Sequence, residues 1–342
     1  MRKKIVAISL VVLVIVVVTL CGVEYKMFYG SAVDREYEVV LTGDDSYDEM
    51  IAKVKRGMDN HLAFDFYADH IDLKRTIKPG RYTIKQGMTV MEVARMLKIG
   101  VRNTSRLVIN NVRNPEALAE KIASQLDIDV DDMRSLLLDE SFVKEYGLDS
   151  SEAMFSLFLP NTYEVDSDIT PREVVAYLAK ESDKFWLRSE NSERLEQLKR
   201  DTPLKSSYDV MVLASIVYEE TKAEDEMARV AGVYINRLNK GWLLQADPTV
   251  KYALGDPTIK RVLYEHLEVE SPYNTYKYKG LPPTPISMPD MSAIEAVLSY
   301  EHHDFMYFCA SPELNGRHNF AKTLKEHNRN ADAYHKAIKN LK

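Results

Sequence analysis

The order of apolar and polar residues divides this chain into three stretches. The first is almost wholly apolar. After Arg2-Lys3-Lys4, residues Ile5 to Val23 run for nineteen positions without a charge. As a helix rising 1.5 Å per residue, that run is roughly 28 Å long, about one hydrocarbon core. The basic cluster ahead of it predicts that residues 1–4 stay in the cytoplasm and that the chain from Glu24 onward lies outside. No small-residue cleavage site follows the run, so an uncleaved single-pass anchor over 5–23 is expected, in preference to a signal peptide. A lipoprotein site at Cys21 is disfavoured by the bulky Leu20 before it.

The second stretch, 24–110, alternates short β-like and helix-like patterns. EYEVVL (36–41) reads as a strand and DSYDEMIAKVKRGM (45–58) as a helix. Arg81 to Ile84 reads as a strand after the Pro79-Gly80 turn. Thr89 and Glu92 then form a capping box, and Val90, Val93, Ala94 and Leu97 mark one helix face that Gly100 closes. RLVI (106–109) is another strand. The expectation is a small α+β module.

The third stretch, 111–342, predicts a larger mixed α+β domain. Asn114-Pro115 opens a helix that buries Leu118, Ile122 and Leu126. Residues 129–200 are mostly helical, broken by FLPNTYEV (158–165). Thr170 and Glu173 form a capping box for a helix through Trp186. YDVMVLASIVYEET predicts a buried helix over 209–220, with Val210, Leu213, Val217 and Glu220 on one side. Thr221 and Glu224 read as a further capping box. The helix they start carries Met227, Val230, Ala231, Tyr234 and Leu238 and ends at Gly241. MYFCA (306–310) is a strand, and NGRHNF (315–320) is a turn into a second strand or helix.

Composition adds limits. Hydrophobic residues make up 45% and charged residues 28% of 342, an ordinary globular balance, and the net charge of −7 gives no basic surface for nucleic acid. The two cysteines, Cys21 and Cys309, make no disulfide scaffold. His302, His303, His318 and His327 lack metal-site spacing, and no nucleotide or serine-hydrolase fingerprint occurs, so neither metal nor cofactor is expected.

Candidate chemistry gathers after residue 209. A carboxyl among apolar side chains has its charged form destabilised, so Glu220 suits a general acid, while Glu219, about 100° round the helix, is better placed for water. Gln245, Asp247 and Thr249 offer an amide, a carboxylate and a hydroxyl in one loop. SPYNTYKYKGLPPTPISMP (271–289) is a rigid loop with Asn274 and three tyrosines, Tyr273, Tyr276 and Tyr278, suited to stacking on sugar rings. His318 is the histidine in a site-forming loop. Asn236 and Arg237 fit a structural role better than a substrate-binding one.

Together, ASIVYEET, VYINRL, LLQADPTVKYALG, YNTYKYKGLPPTPI, MYFCA and GRHNF followed by LKEHN resemble the membrane-anchored endolytic murein transglycosylases, the YceG-like (MltG) family. FLPNTYEV resembles that family's F-P-D-T-Y segment, and residues 77–97 its LysM-like module. The resemblance implies an anchor at 5–23, an N-terminal region with the LysM-like module at 24–110 and a catalytic domain at 111–342, in the inner membrane with the catalytic domain outside. It implies a lyase that cuts the MurNAc-β-1,4-GlcNAc bond of nascent glycan strands without water. The products are 1,6-anhydromuramoyl ends, and the cut limits strand elongation. Glu220 takes the place of the family's catalytic glutamate, and Gln245, Asp247, Asn274, Tyr276 and His318 are the substrate-binding candidates. Peptidoglycan glycan strands are the implied partner, with membrane peptidoglycan synthases alongside. The sequence departs from the family pattern at Tyr218, where a glutamate is common, and at Thr284 and Asp290, where glycine is. Two rivals stand beside this reading. One is a tethered wall-binding protein without catalysis. The other is a lysozyme-type hydrolase, which needs a water-activating carboxylate such as Asp247 or Glu226.

Overall fold

The computed structural model describes residues 22, 28–100, 104–110, 112–256, 258–259 and 261–340. All of the expected anchor except Gly22 lies outside them. Among the described residues, no helix is long and apolar enough to cross a membrane. The described residues fall into two compact units, those up to Ser105 with Asp166–Asp168, and Arg106–Val165 with those from Ile169 onward.

In the first unit, β1 (Tyr37–Leu41) leads into α1 (Tyr47–Lys55), α2 (His61–His70) and the single turn α3 (Leu73–Thr76). β2 (Gly80–Ile84) returns antiparallel to β1, with Tyr37 opposite Ile84 and Leu41 opposite Gly80. α4 (Val90–Ile99) follows, started by the Thr89–Glu92 capping box and closed by Gly100 at φ 77°. Val39, Leu41, Tyr82 and Ile84 of the strands bury against Val54, Phe64, Val93 and Leu97 of the helices. α2 is started by Asn60, whose side chain accepts from the Ala63 amide at 3.3 Å.

β3 (Thr104–Ile109) and β4 (Asn161–Asp166), most of each in the second unit, pair with one another, so the break at FLPNTYEV is a strand. Between them lie α5 (Pro115–Ala123), α6 (Val130–Leu138), α7 (Glu140–Glu145) and a 3₁₀ turn, Ser151–Leu157. α5 starts as its sequence requires: the Asn114 side chain accepts from the Ala117 amide at 2.7 Å, with Pro115 in the first turn. α8 (Pro171–Trp186) carries the Thr170–Glu173 capping box, and α9 (Ser189–Asp201) follows. Then come α10 (Ser207–Glu220), α11 (Glu224–Asn239), α12 (Asp247–Leu254) and α13 (Met291–Leu298). The hairpin of β5 (Tyr307–Ala310) and β6 (His318–Ala321) and the helix α14 (Leu324–Lys339) end the chain.

α10 is the centre of this unit. Every residue from Val210 to Val217 is buried, so no face of it is polar. It packs on α11 and α13. This differs from the expected one-sided helix: a helix that is apolar all round is enclosed, not laid on a surface. A second difference lies just beyond it. Thr221 does not cap α11. The N-cap is Ala223, and the Thr221 hydroxyl accepts from the Ala223 amide at 3.1 Å. Thr221 is still bound to α10 through its own amide on the Val217 carbonyl, so an extra turn separates the two helices.

One position tests how tightly α11 is packed. A Cβ on Gly232 would overlap the Glu301 carbonyl oxygen and stand 2.7 Å from His303 Nε2. Both are held: Glu301 N–H bonds the Ala228 carbonyl at 2.9 Å, and His303 Nε2 contacts the Arg229 carbonyl at 2.9 Å. Helix propensity alone favours alanine here by about 1 kcal/mol. The overlap outweighs it, so Gly232→Ala is expected to cost about 1–3 kcal/mol in urea unfolding. A midpoint equal to or above that of the native chain would show that the loop yields freely.

Candidate functional site

α10 ends on the pair Glu219-Glu220, and the two carboxyls have different surroundings. Glu219 is paired. Arg113 Nη2 lies 3.0 Å from Oε2, Lys222 Nζ 3.8 Å from Oε1, and the Ser287 hydroxyl donates to Oε1 at 3.4 Å. It does not reach open water as expected, because its side chain is only 17% exposed. Glu220 has no cation within ion-pair distance among the described residues. Its recorded partner is a hydroxyl: Tyr234 donates to Oε2 at 3.1 Å. Burial pushes the Glu220 carboxyl up to about 7, and the charge of Asp247 pushes the same way. The Tyr234 hydrogen bond, Arg237 and Lys251 oppose the rise and do not cancel it. Glu220 is also the last residue of α10, where the helix carbonyls disfavour a negative charge.

Tyr234 is buried in the core stripe of α11, and burial holds its phenol well above the usual range. Sequence reading placed it there only as an apolar residue. The signal available was general: a buried tyrosine hydroxyl needs a partner. Its ring meets Phe308 of β5 edge-on, with centroids 5.8 Å apart.

The Gln245–Thr249 loop is stitched to the tyrosine-rich loop. Gln245 N–H donates to the Thr275 carbonyl at 3.1 Å, and Ala246 N–H to the Thr275 hydroxyl at 3.0 Å. The Thr249 and Thr275 hydroxyls share a hydrogen bond at 2.8 Å. Gln245 is exposed and takes a left-handed φ of 50°, unusual outside glycine. Asp247, exposed at the start of α12, accepts from the Tyr276 hydroxyl at 2.6 Å. Burial, and then that contact, hold the tyrosine in its neutral form. The proline segment is tied to α10 in turn, because Ile286 N–H donates to the Ser215 hydroxyl at 3.0 Å.

Gln245, Asp247 and Tyr276 therefore share one pair of loops, and Glu220 feels the Asp247 charge. Asn274 does not join them on a surface. It is fully buried, its amide donating to the Leu267 and Val269 carbonyls at 2.8 and 2.9 Å and its oxygen accepting from Tyr276 N–H at 3.0 Å. Its side-chain amide and oxygen are thus both engaged within the fold, where Asn274 shapes the loop. His318 lies two rings from Glu220, through Phe308 and Tyr234. Its Nδ1 and backbone N–H both contact the buried Glu226 carboxylate at 3.2 Å. Glu226, a hydrolase candidate from sequence, is only 4% exposed and bound through both oxygens, so it is not placed to activate water.

Asn236 and Arg237 take structural roles. Asn236 donates to the His303 and Phe305 carbonyls at 2.8 and 3.0 Å. Arg237 donates to the Met306 carbonyl at 2.9 Å and to the Leu244 carbonyl. One turn of α11 thus holds both the Gln245 loop and the start of β5. Beside the end of α10 opens a cavity of about 810 Å³, whose walls include Arg113, Glu219, Lys251, Tyr252, Tyr273 and Ile286. The Tyr252 and Tyr273 rings are 4.7 Å apart. The volume fits a ligand of several sugar-sized groups.

Known proteins are similar to this chain in sequence and fold. Residues 39–333 match the model of the YceG-like family. An endolytic murein transglycosylase of Bacillus subtilis strain 168 is 29% identical over 287 residues, covering 80% of this chain and 77% of the relative. One of Streptococcus pneumoniae R6 is 26% identical over 304 residues, covering 81% of this chain and 54% of the relative, so the chain spans about half of that longer protein. The crystal structure of a yceG-like protein from Listeria monocytogenes superposes with a TM-score of 0.54 at 27% identity, over 86% of this chain and 99% of that one.

The raised Glu220 carboxyl has a consequence for stability that does not depend on any ligand. Its folded value, about 7, lies above the usual 4.5, so the native state gains from its proton at low pH. That gain is lost as pH rises from about 4.5 through about 7. Glu220→Gln removes the titration. The variant should therefore gain stability on the native chain across that window and level off near pH 8. At 1.36 kcal/mol per pKa unit the gain has a ceiling of about 3 kcal/mol. Urea melts of both proteins at pH 4, 6 and 8 measure it, and a difference constant with pH would mean that the carboxyl titrates normally.

Proposed function

The chain belongs to the YceG-like family, and from that premise we propose that Glu220 is the one catalytic carboxyl of an endolytic murein transglycosylase. The enzyme is a lytic transglycosylase, a lyase that acts on peptidoglycan. The observation that carries the assignment of Glu220 is its setting: a carboxyl pushed up to about 7, held by Tyr234, one residue from an ion-paired Glu219.

That setting suits a group that gives a proton and takes one back. Protonated Glu220 donates to the oxygen between muramic acid and N-acetylglucosamine, and the C1–O bond breaks. The resulting carboxylate accepts the proton of the muramoyl 6-hydroxyl as O6 bonds to C1. The product is a 1,6-anhydro end, and Glu220 regains its proton. A pKa near the working pH serves both halves. No water is consumed, so no second carboxylate is needed to activate it, and the buried, doubly bound Glu226 is consistent with that. The substrate's own acetamido group stabilises the positive charge at C1, and Asp247 acts on Glu220 through its field. Gln245 and Tyr276 bind the strand from their paired loops.

In the same reading, residues 5–23 anchor the enzyme in the inner membrane with the catalytic unit outside, supported by the uncharged run behind Arg2-Lys3-Lys4. The first unit contains a LysM-like module over residues 77–97, supported by the strand-then-helix order of β2 and α4. Cutting strands as they emerge beside a membrane peptidoglycan synthase limits their length.

Two measurements test the reaction. The chain from about Glu24 onward should convert uncrosslinked glycan strands into fragments with anhydro ends, lighter by one water than hydrolysis products. Glu220→Gln should lower the rate at least ~10³-fold, in line with the loss of a general acid–base. Reducing ends in the mass spectrum would indicate a hydrolase instead. Asp247→Asn removes a charge that raises the Glu220 pKa. The alkaline limb of its pH–rate profile should therefore move to lower pH, with the acidic plateau within ~10-fold of native. A plateau lower by ~100-fold would give Asp247 the role of stabilising charge at C1.

A further inference from the structure

A second concavity, of about 610 Å³, opens between the β5–β6 hairpin and α14. It shares no lining residue with the cavity that Glu219 lines at the end of α10. Its charged walls fall into two groups. One group is committed within the protein. Arg229 Nε bonds both Glu301 oxygens at 3.0 and 3.1 Å, and Lys322 Nζ bonds Asp304 at 2.8 Å. Glu326 caps α14 and accepts from the Lys322 amide at 3.0 Å.

The other group is uncommitted. The side chains of Asn319, Arg329 and Asn330 line the concavity and have no hydrogen-bond or ion-pair partner among the described residues. His318 lines it too. Glu226 holds its Nδ1, and no described residue bonds its Nε2. Each acid on the wall is thus engaged, while a guanidinium, two amides and an imidazole nitrogen remain. Phe305 and Phe320, with ring centroids 5.8 Å apart, supply an apolar surface beside them.

We propose that this concavity is a second substrate site, which takes the terminal carboxylate of the peptide arms that murein strands carry. The proposal rests on the murein reading for its ligand. The guanidinium of Arg329 presents a planar fork that matches a carboxylate. Asn319 and Asn330 each offer a donor and an acceptor, as peptide groups require. The phenylalanine rings receive a methyl side chain. The volume is far larger than a single ion needs and lies within the range of ligand pockets. Glu226 is a positioning residue here, since it fixes the ring of His318. The enzyme thereby holds a peptide-bearing strand at a point away from the bond it cuts, and distinguishes it from a bare one.

The test uses the full chain carrying Glu220→Gln, so that nothing is turned over, titrated calorimetrically with N-acetylmuramoyl pentapeptide and with its C-terminal carboxamide. The acid should bind at least ~10-fold more tightly than the amide. Arg329→Ala should abolish that difference and Arg329→Lys restore part of it. Arg329 is exposed on α14, so thermal melts should be superimposable. With Glu220 intact, the ratio of cleavage rates on peptide-bearing and bare strands should fall ~10-fold in Arg329→Ala. Equal affinity for acid and amide, or affinity indifferent to Arg329→Ala, overturns the proposal. So does Arg329-dependent binding of phosphatidylglycerol vesicles in place of the peptide, which would make the site a phosphate receptor. Failure of the native chain to cut any strand would instead overturn the assigned reaction, and the titration would still judge this site.

Discussion

A helix with no polar face has to be surrounded, and α10 imposes that requirement on the whole second unit. Val210 to Val217 are buried without exception. α11 and α13 pack on the helix, and the proline loop is hung on it through Ser215 and Ile286. The helix ends where the enclosure ends, and its last residues are two glutamates. Each structural choice around α10 therefore also decides how two carboxyls meet solvent.

The two carboxyls reach opposite solutions to the cost of leaving water. Glu219 takes cations, Arg113 and Lys222. Glu220 receives a neutral donor, Tyr234, and keeps its proton to about pH 7. A neutral hydrogen bond offsets only part of the desolvation, whereas an ion pair would have held the carboxylate charged. The Glu219 pairs thus keep nearby cations engaged at the neighbouring side chain. Where the family pattern often has a glutamate, this chain has Tyr218, with Lys222 Nζ 3.2 Å above its ring. Lys222 is in this way held by Tyr218 and Glu219, and no ion pair joins it to Glu220.

The loops around the site are fixed by hydrogen bonds to backbone rather than by secondary structure. Asn236 and Arg237 hold four carbonyls from the last turn of α11, and Thr275 holds the Gln245–Thr249 loop from the other side. Side chains that look polar enough to bind a sugar are in several cases the ones that order the backbone. Asn274 is the clearest: its side-chain amide and oxygen are both engaged within the fold.

Local rules made much of this protein legible in its sequence. Capping boxes at Thr89 and Thr170 and the Asn114-Pro115 start needed only neighbours three residues away, and those helices begin there. The buried run before Glu220 and the motif order that marks the family were equally local. Thr221-Glu224 obeyed the same rule and failed, because the Thr221 amide remains bound to α10. What the sequence did not contain was which polar side chain meets which. Tyr234 lies fourteen residues from Glu220, Glu226 ninety-two from His318, and Arg113 one hundred and six from Glu219. Periodicity assigns a face to each residue and says nothing of the partner opposite. The apolar setting of Glu220 was therefore determined by the sequence alone. Its neutral partner, the pairing of Glu219 and the burial of Asn274 were decided only when the tertiary fold closed around α10.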